Sequence, residues 1–400
     1  MSREALITGV GIVSPIGVGR EMFLAGLREG RCGLDRLRGL DASRFRVGRG
    51  GEVEDSALGS LVADVSGQRG LTMAQLACRE ALADARIDLL PEDTTLALGT
   101  GAGEMRAMEA SLGPPEAELP LDLADPLQPP NAITSKLARQ LGIRGRLLTF
   151  VNACAAGAQA IAVAADLIRS GRAEVAVAGG VEILNTMVLA GFEALRAVSP
   201  SGPHPFDADR DGIQLSELAA FLVLESAGHV GSRGAQPYAR IAGSGVSADA
   251  SHVVRPDAEG AGAALALQRA LDDAGLRPDE IDYINAHGTG TVQNDPAELA
   301  ALERVFGERT SEIPISSTKA MLGHALGASG AAEAIICALA LREGVLPPTI
   351  GLRRAIAGYE DFDFIAGGAR TDVRLRHVLS SAFAFGGNNV VLVFSAPVEA

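Results

Sequence analysis

The first residue that could do chemistry is Cys154, which lies within the stretch 147–161. The short apolar run that opens this stretch is typical of a buried strand, and an alanine-rich segment then continues to Ile168 with Gly157 as its breaker. Cys154 is therefore predicted at the start of a helix. Unpaired backbone N–H groups and the positive end of the helix dipole favour a thiolate there, so we expect a reactive nucleophile.

Two histidines stand at positions that suit catalysis. His287 ends an apolar strand before the glycine-rich GTGT at 288–291, and His324 is predicted to follow a strand and precedes a similar glycine-rich turn. Because side chains at strand ends face the binding cleft of an α/β sheet, Cys154 and both histidines are expected to meet in one cleft. The remaining histidines and cysteines are interpreted as structural: His204, His229, His252, His377, Cys32, Cys78 and Cys337.

An internal repeat predicts the elements that position these side chains. Five landmarks recur in the same order: a glycine-marked strand, a helix end, a GTG turn, a helix with a candidate catalytic residue near its start, and a second strand. They lie at 7–12, 81–87, 99–101, 147–171 and 175–180, and again at 241–246, 270–276, 288–290, 324–344 and 378–382. We therefore predict two similar halves, 1–238 and 239–400, each with strands and helices alternating around a mostly parallel sheet.

Composition excludes several classes of function. The net charge is −14 and no basic tract is present, which argues against nucleic acid as a partner. The first residues lack the apolar region of a signal peptide, and no apolar run approaches the roughly 18–20 residues of a membrane span. Four widely spaced cysteines without ligand spacing argue against disulfides and structural zinc. We expect a soluble, cytoplasmic α/β protein without a membrane partner or a metal.

Five sequence blocks carry a resemblance to a known family. They are NACAAG at 152–157, PFDADRDG at 205–212, NAHGTGT at 285–291, STKAMLGHALGASG at 317–330 and FAFGGNN at 383–389. Together they resemble the β-ketoacyl-(acyl carrier protein) synthases of the thiolase superfamily, in particular the elongation type with a Cys-His-His set. The resemblance covers nearly the whole chain. It implies a five-layered αβαβα fold with thiolase-like internal duplication, in agreement with the repeat.

The resemblance implies a decarboxylative Claisen condensation, as used in fatty-acid, polyketide or polyene biosynthesis. Cys154 would take an acyl chain from acyl carrier protein as a thioester, with its own N–H and that of Phe385 as the oxyanion hole. His287 and His324 would stabilise the enolate that forms when a malonyl thioester loses carbon dioxide. The product would be a 3-oxoacyl-acyl carrier protein.

Other residues receive supporting roles from the resemblance. Lys319 and Glu333 would form a buried network beside the histidines, with an acidic residue at the position of Asp295. Phe385 would also gate the acyl pocket. No metal or redox cofactor is implied, because the substrates are carried on the phosphopantetheine arm of the carrier protein. The residues implied in substrate binding are Thr289, Thr291, Phe383, Gly386 and Asp295.

The same resemblance implies two protein partners. Carrier proteins of this type are acidic, so the mouth of the pocket should be basic. Family members dimerise through a central strand, for which 174–180 is the best candidate, and both a homodimer and a heterodimer with a related ketosynthase-like subunit remain open. The candidate basic residues are Lys136, Arg139, Arg144, Arg146 and Arg196.

Other classes of protein differ from this prediction in identifiable residues. Departures from the family pattern at Asn388 and at 216–220 leave a specialised polyketide or polyene pathway open beside fatty-acid elongation. A chain-length factor, which is a structural partner of a ketosynthase, lacks the nucleophile, whereas Cys154 is present here. A thiolase needs a second cysteine in the last quarter, and none follows Cys337. Glycine pairs such as that at 99–101 form no complete dinucleotide fingerprint.

Overall fold

Strands and helices alternate along the part of the chain that the computed structural model describes, residues 4–59, 68–112 and 129–397. The strands are β1 Ala5–Ser14, β2 Gly17–Val18, β3 Leu34–Arg36, β4 Arg49–Gly51, β5 Thr95–Gly99, β6 Leu147–Phe150, β7 Val175–Glu182, β8 Leu218–Ser226, β9 Ala239–Ala248, β10 Tyr283–Asn285, β11 Ile315–Ser316, β12 His377–Ala384 and β13 Asn388–Ser395. The α-helices are α1 Arg20–Glu29, α2 Asp55–Leu58, α3 Arg69–Asp84, α4 Met105–Leu112, α5 Asn131–Leu141, α6 Ala156–Arg169, α7 Thr186–Ala194, α8 Ala227–Arg233, α9 Ala261–Ala274, α10 Asn294–Phe306, α11 Lys319–Leu322 and α12 Ser329–Glu343.

The main sheet contains the same arrangement of five strands twice. The order is β1-β8-β7-β5-β6 in the first half and β9-β13-β12-β10-β11 in the second, with β1 joined to β9 by a short antiparallel ladder. In each half the first two pairings are antiparallel and the last two are parallel. The predicted duplication is therefore confirmed. Four of the five strands in each half run in the same direction, in line with the predicted mostly parallel sheet, and the last strand of each half inserts antiparallel to both its neighbours.

Helices cover both faces of each set of strands and produce five layers. The buried helices α6 and α12 pack against each other between the two sets and share one apolar core with both. Helices α3 and α5 cover the outer face of the first set, and α9 and α10 cover that of the second. This confirms the αβαβα fold. None of the helices in the described ranges combines the length and apolarity needed to cross a membrane.

Glycines allow the outer helices to lie directly on the strands. A Cβ added to Gly11 on β1 would lie 2.0 Å from the carbonyl oxygen of Ala77 on α3. A Cβ added to Gly245 on β9 would lie 2.0 Å from the carbonyl oxygen of Ala266 on α9. The repeated glycine-marked strands of the sequence therefore record the same helix-on-strand contact in both halves.

The strand predicted to form a dimer contact is not available for one. The predicted range 174–180 falls on β7, which is fully buried and pairs with β8 on one side and β5 on the other. Among the described strands, β6 is the outermost of the first half and pairs only with β5. Leu147 at its start is 43% exposed and Val151 just after it is 53% exposed. This outermost strand lies directly before the Cys154 segment. We therefore expect β6, and not β7, to form the dimer contact.

Candidate active site

Cys154 lies where the sequence places it, between a strand and a helix. β6 ends at Phe150, and a short 3-10 helix, Ala153–Ala155, leads into α6. Ala153 has a φ of 52°, a left-handed conformation that is unfavourable for alanine and fixes a sharp turn before the thiol. The side chain of Cys154 is buried among apolar residues of α7 and the neighbouring loops.

The expected thiolate is not favoured in this structure. Burial is the largest influence on Cys154 and raises the pKa of its thiol to about 12. The positive charge of Lys319 and a hydrogen bond that the Phe385 N–H donates to the sulfur both act in the opposite direction. The prediction was wrong because the side chains that bury the sulfur come from distant parts of the sequence.

The turn that carries His287 follows β10 and is held by a buried carboxylate. Glu298 on α10 accepts the backbone N–H of His287 at 2.8 Å and that of Gly288 at 2.7 Å. The hydroxyl of Ser381 donates to the same carboxylate at 2.8 Å. The sequence analysis missed Glu298. Its signal was its position three residues after Asp295, which places both carboxylates on one face of α10.

His324 does not follow a strand, which corrects the expectation from sequence. It follows the short helix α11, and its backbone pairs with the segment before β8. The His324 N–H donates to the carbonyl of Gln214 at 2.7 Å, and the Ser216 N–H donates to the His324 carbonyl at 3.1 Å. Its Nδ1 lies 3.0 Å from Oγ of Ser329, and a hydroxyl that donates to Nδ1 leaves the ring proton on Nε2.

The two imidazoles form an edge-to-face pair. The ring centroids of His287 and His324 are 5.5 Å apart with an interplanar angle of 81°. Burial, and then the positive charge of Lys319, lower the pKa of each ring well below 6.5. Both rings are therefore neutral near neutral pH. Neutral rings can donate an N–H to a substrate oxygen.

Lys319 and Glu333 form a buried pair next to the histidines. The Nζ of Lys319 donates to the backbone carbonyl of His287 at 2.5 Å and to the carboxylate of Glu333. Both side chains are almost completely buried. The arrangement joins α11 and α12 to the turn after β10, so the pair can orient His287.

Asp295 lies behind the wall of the site. Its carboxylate accepts the N–H groups of Phe206 at 2.8 Å and of Thr289 and Gly290 at 3.1 Å. It is fully buried and does not line the cavity described below. We therefore correct the expected substrate contact: Asp295 orders the loop that carries Thr289, because backbone donors occupy its carboxylate.

The turn after β12 brings aromatic rings to the site. Gly386 has a φ of 82° within the short helix Phe385–Gly387 and does not itself line the cavity. The Phe385 ring stacks on Phe192 of α7 with centroids 5.6 Å apart. Phe383 meets the His287 ring edge-on at 6.0 Å. The left-handed glycine thus lets the Phe385 N–H reach Cys154 while its ring turns towards α7.

One cavity of about 320 Å³ brings most of the predicted site residues together. The hydroxyls of Thr289 and Thr291, which line it, are 3.0 Å apart. Arg196 lines it as well, together with Arg255, which the sequence analysis missed. The other predicted basic residues do not line it: Lys136, Arg139, Arg144 and Arg146. The predicted site residues that line it are Cys154, His287, His324, Thr289, Thr291, Phe383 and Phe385.

A larger groove of about 960 Å³ lies elsewhere, between β1, β3, β4 and α3. Three of its arginines form ion pairs: Arg31 with Glu29 at 2.7 Å, Arg38 with Asp35 at 3.3 Å and Arg69 with Glu217 at 2.6 Å. The described residues contain no group of three or more His, Cys, Asp or Glu side chains placed to hold a metal. The smaller cavity, which combines a thiol with two imidazoles, is therefore the candidate active site.

The duplicated αβαβα fold defines a protein of the thiolase-like class. Two family models match the chain, described as "Beta-ketoacyl synthase, N-terminal domain" over residues 2–229 and "Beta-ketoacyl synthase, C-terminal domain" over residues 238–353. These matches cover most of the sequence. The chain belongs to the β-ketoacyl synthase family, and its relatives named 3-oxoacyl-[acyl-carrier-protein] synthase 2 are condensing acyltransferases.

The chain is similar to curated relatives over nearly its full length. The chain is 36% identical to 3-oxoacyl-[acyl-carrier-protein] synthase 2 of Coxiella burnetii, with 98% of both proteins covered. It is 37% identical to nodulation protein E of Rhizobium leguminosarum bv. trifolii, with 98% of this chain and 99% of that protein covered. A solved structure described as the ishigamide ketosynthase/chain length factor has a TM-score of 0.91 and 35% identity, with 99% of this chain and 100% of that chain covered.

Proposed function

We propose that the chain condenses an acyl group held on Cys154 with malonyl-acyl carrier protein, giving 3-oxoacyl-acyl carrier protein and carbon dioxide. The observation that carries the proposal is the shared cavity of Cys154, His287 and His324. A thiol can hold an acyl chain, and two neutral imidazoles can donate to an enolate oxygen. The three groups come from separate parts of the chain, so their convergence supports one reaction.

In the first step the thiol of Cys154 exchanges with the carrier protein's thioester. The sulfur bonds to the acyl carbonyl carbon, the bond to the pantetheine sulfur breaks, and the thiol proton leaves with that sulfur. The Phe385 N–H, together with that of Cys154, would stabilise the negative oxygen of the intermediate. The charge of Lys319 favours the developing thiolate.

In the second step a malonyl thioester binds in the cavity beside His287 and His324. His287 and His324 would donate N–H groups to its carbonyl oxygen while the bond to the carboxylate breaks and carbon dioxide leaves. The resulting enolate carbon bonds to the acyl carbonyl carbon, and the Cys154 sulfur departs. A thiol whose pKa lies near 12 takes up a proton from water on release, which restores the starting state. These steps draw on no metal or redox cofactor, only on thioesters carried by phosphopantetheine.

An acidic carrier protein fits the open side of the cavity. Arg196 and Arg255 are exposed there beside the apolar side chains of Leu195 and Val253. Cations at the rim of an interface steer an acidic partner and accelerate its arrival. We propose this rim as the docking surface of the carrier protein, with the enzyme acting in the cytoplasm as a homodimer or beside a related ketosynthase-like subunit.

A second candidate function is that of a chain-length factor in a heterodimer. The solved relative described as a ketosynthase/chain length factor favours it. The intact site argues for catalysis, because a purely structural partner has no need of Cys154. Nodulation protein E among the relatives keeps a specialised pathway open beside fatty-acid elongation.

The test is to incubate the protein with malonyl carrier protein and a panel of acyl carrier proteins, and to follow Cys154 and the products by mass spectrometry. We expect an acyl adduct on Cys154 and a 3-oxoacyl product. Cys154→Ala should form neither, and His324→Ala should acylate but decarboxylate malonyl carrier protein slowly. Condensation that survives in Cys154→Ala would end the nucleophile assignment.

The docking proposal has its own test. Arg196→Glu and Arg255→Glu should raise KM for acyl carrier protein by about tenfold, or 1.4 kcal/mol, with a smaller change in kcat. A short pantetheine thioester should react at the unchanged rate because it does not need the rim. Arg144→Glu, which reverses a charge away from the cavity, is the matched control. Equal KM values in all three variants would refute the docking surface.

A further inference from the structure

Glu182, at the end of β7, is a buried carboxylate to which the proposed mechanism gives no role. It accepts the backbone N–H of Gly101 at 2.5 Å, that of Ala102 at 3.0 Å and that of Gly327 at 3.1 Å. The first two belong to the loop after β5, and the third belongs to the segment before α12. One carboxylate therefore joins loops of both halves.

Gly327 is the counterpart of Cys154 in the second half. Each is the middle residue of a 3-10 helix, Ala153–Ala155 or Leu326–Ala328, that leads into the equivalent central helix. The preceding residues share a left-handed conformation, with φ of 52° at Ala153 and 40° at Leu326. In the first half, the backbone N–H of Cys154 lies next to its own sulfur. In the second half, the equivalent N–H belongs to Gly327 and donates to Glu182.

The backbone around Gly327 leaves no space for a side chain. A Cβ added to Gly327 would lie 2.5 Å from the backbone nitrogen of Gly101. A Cβ added to Gly157 or to Gly180 would lie 2.8 Å from the carbonyl oxygen of Gly327. Because backbone packs against backbone here, a shift of the Gly327 segment would also move His324, three residues earlier.

Glu182 also acts on the nucleophile through its charge. Among the described groups around Cys154, the charge of Lys319 favours the thiolate and that of Glu182 opposes it, while the two histidines are neutral. Burial raises the pKa of Glu182 to about 7, although its three N–H donors oppose that rise. Its charge is therefore variable near neutral pH.

We infer that Glu182 is a positioning residue: its carboxylate fixes the start of α12 and the His324 segment against the first half. A consequence of that placement is that its negative charge opposes the Cys154 thiolate. The inference rests on the proposed function and deepens it. Another buried carboxylate that does not line the cavity is Glu104, which accepts the N–H groups of Gly70 and Leu71 at the start of α3. It provides a matched control.

The charge is tested by alkylation of Cys154 with iodoacetamide at a series of pH values, read by mass spectrometry of the peptide that contains it. Removing a nearby negative charge should lower the thiol pKa by on the order of one unit. Because a less basic thiolate is also less nucleophilic, Glu182→Gln should be alkylated about three- to fivefold faster at a given pH below the pKa. Glu182→Asp, which keeps the charge, and Glu104→Gln should show no acceleration.

The positioning role is tested by the two half-reactions. Glu182→Gln and Glu182→Asp should both slow malonyl decarboxylation by about tenfold or more. Gln replaces one of the two acceptor oxygens with an NH2 group, and Asp is one methylene too short to hold the Gly327 N–H. Circular dichroism and thermal unfolding establish that each variant is folded. Where Glu182→Gln is unstable, Glu182→Asp alone carries the comparison with Glu104→Gln.

The outcomes separate this inference from the proposed function. A wild-type protein that condenses acyl groups, with Glu182 variants equal to it in alkylation and decarboxylation, would overturn the inference alone. Slower alkylation in Glu182→Gln would contradict the charge effect. A wild-type protein that neither acylates Cys154 nor releases carbon dioxide would instead remove the proposed function.

Discussion

At the scale of single residues, the Lys319–Glu333 pair is the strongest electrostatic feature of the site. Both groups are withdrawn from water, and the ammonium also holds the carbonyl of His287. Removing two charges from water costs free energy that their attraction roughly offsets, so a buried pair is worth little net stability. Breaking it is different, because one charge then remains buried and unpaired.

We expect Lys319→Met to lower the free energy of unfolding by about 3–5 kcal/mol, since it leaves the Glu333 carboxylate buried without its partner. The double variant Lys319→Met/Glu333→Met should recover most of that loss. Urea unfolding of the two single variants and the double variant measures the coupling. A double variant that is as unstable as Lys319→Met would show that the pair itself stabilises the fold.

The histidines give a prediction about pH. Their pKa values lie well below 6.5, so the rings stay neutral as the pH falls through 6.5, and they become charged only in more acidic solution. The rate of malonyl decarboxylation, measured in a Cys154→Ala background, should therefore show no loss near pH 6.5 that is due to protonation of the rings. In Lys319→Met/Glu333→Met the loss of the ammonium should raise both pKa values and move the acid limb to higher pH. Glu182, whose pKa burial raises to about 7, titrates in both proteins, so the shift between them identifies the rings. An acid limb that stays at the same pH in Lys319→Met/Glu333→Met would contradict its assignment to the histidines.

The residue scale also marks the limit of prediction from sequence. Cys154, His287 and His324 were found because each stands beside a distinctive glycine-rich motif. Glu182 and Glu298 were missed, because an isolated glutamate on a strand end or helix looks the same whether it binds backbone N–H groups or water. The direction of the Cys154 pKa was wrong because desolvation depends on side chains remote in the chain.

At the scale of elements, strand-to-helix contacts at glycine explain the repeat. Gly9 on β1 and Gly243 on β9 face Ala81 and Ala270, just as Gly11 and Gly245 face alanine carbonyls one turn earlier. The period of the sequence repeat therefore reflects one packing solution used twice. Sequence alone indicated the two halves but not the antiparallel insertion of β8 and β13, because pairing order depends on long-range contacts.

We expect Gly245→Ala to lower the free energy of unfolding by about 1–3 kcal/mol or more, because its Cβ would overlap the carbonyl of Ala266. Gly231, on the surface helix α8, has no atom within 4 Å of an added Cβ. Gly231→Ala should therefore stabilise the protein by about 0.5–1 kcal/mol through helix propensity. Thermal and urea unfolding of the two variants measures these changes. Equal effects of Gly245→Ala and Gly231→Ala on stability would refute the close contact between Gly245 and the carbonyl of Ala266.

At the scale of the whole molecule, the open edge of the first half is the surface most suited to pairing with a second chain. Among the strands of the described residues, β6 pairs with β5 alone, and Leu147 at its start and Val151 just after it are exposed. The family resemblance implied a dimer strand, and 174–180 on β7 was its best candidate, because an apolar strand has the same sequence pattern inside a sheet and at its edge.

We expect Leu147→Lys/Val151→Lys to convert a dimer into monomers, because lysines at a strand edge oppose strand pairing. Light scattering after size exclusion gives the mass. Leu89→Lys, at a residue that is 88% exposed on a loop, is the control and should leave the mass unchanged. A dimer that persists in the double variant would place the interface elsewhere.

The central layer has a consequence for how the protein is made. Helix α6 ends at Arg169, and α12, which covers it, begins about 160 residues later. At about 5–20 residues per second, a ribosome needs roughly 10–30 s to supply that cover. During this interval the side of α6 that packs on α12 has no native partner, while its other side can pack on β5 and β7. The yield of folded protein should therefore depend on chaperone supply and translation speed more than on the stability of the folded state.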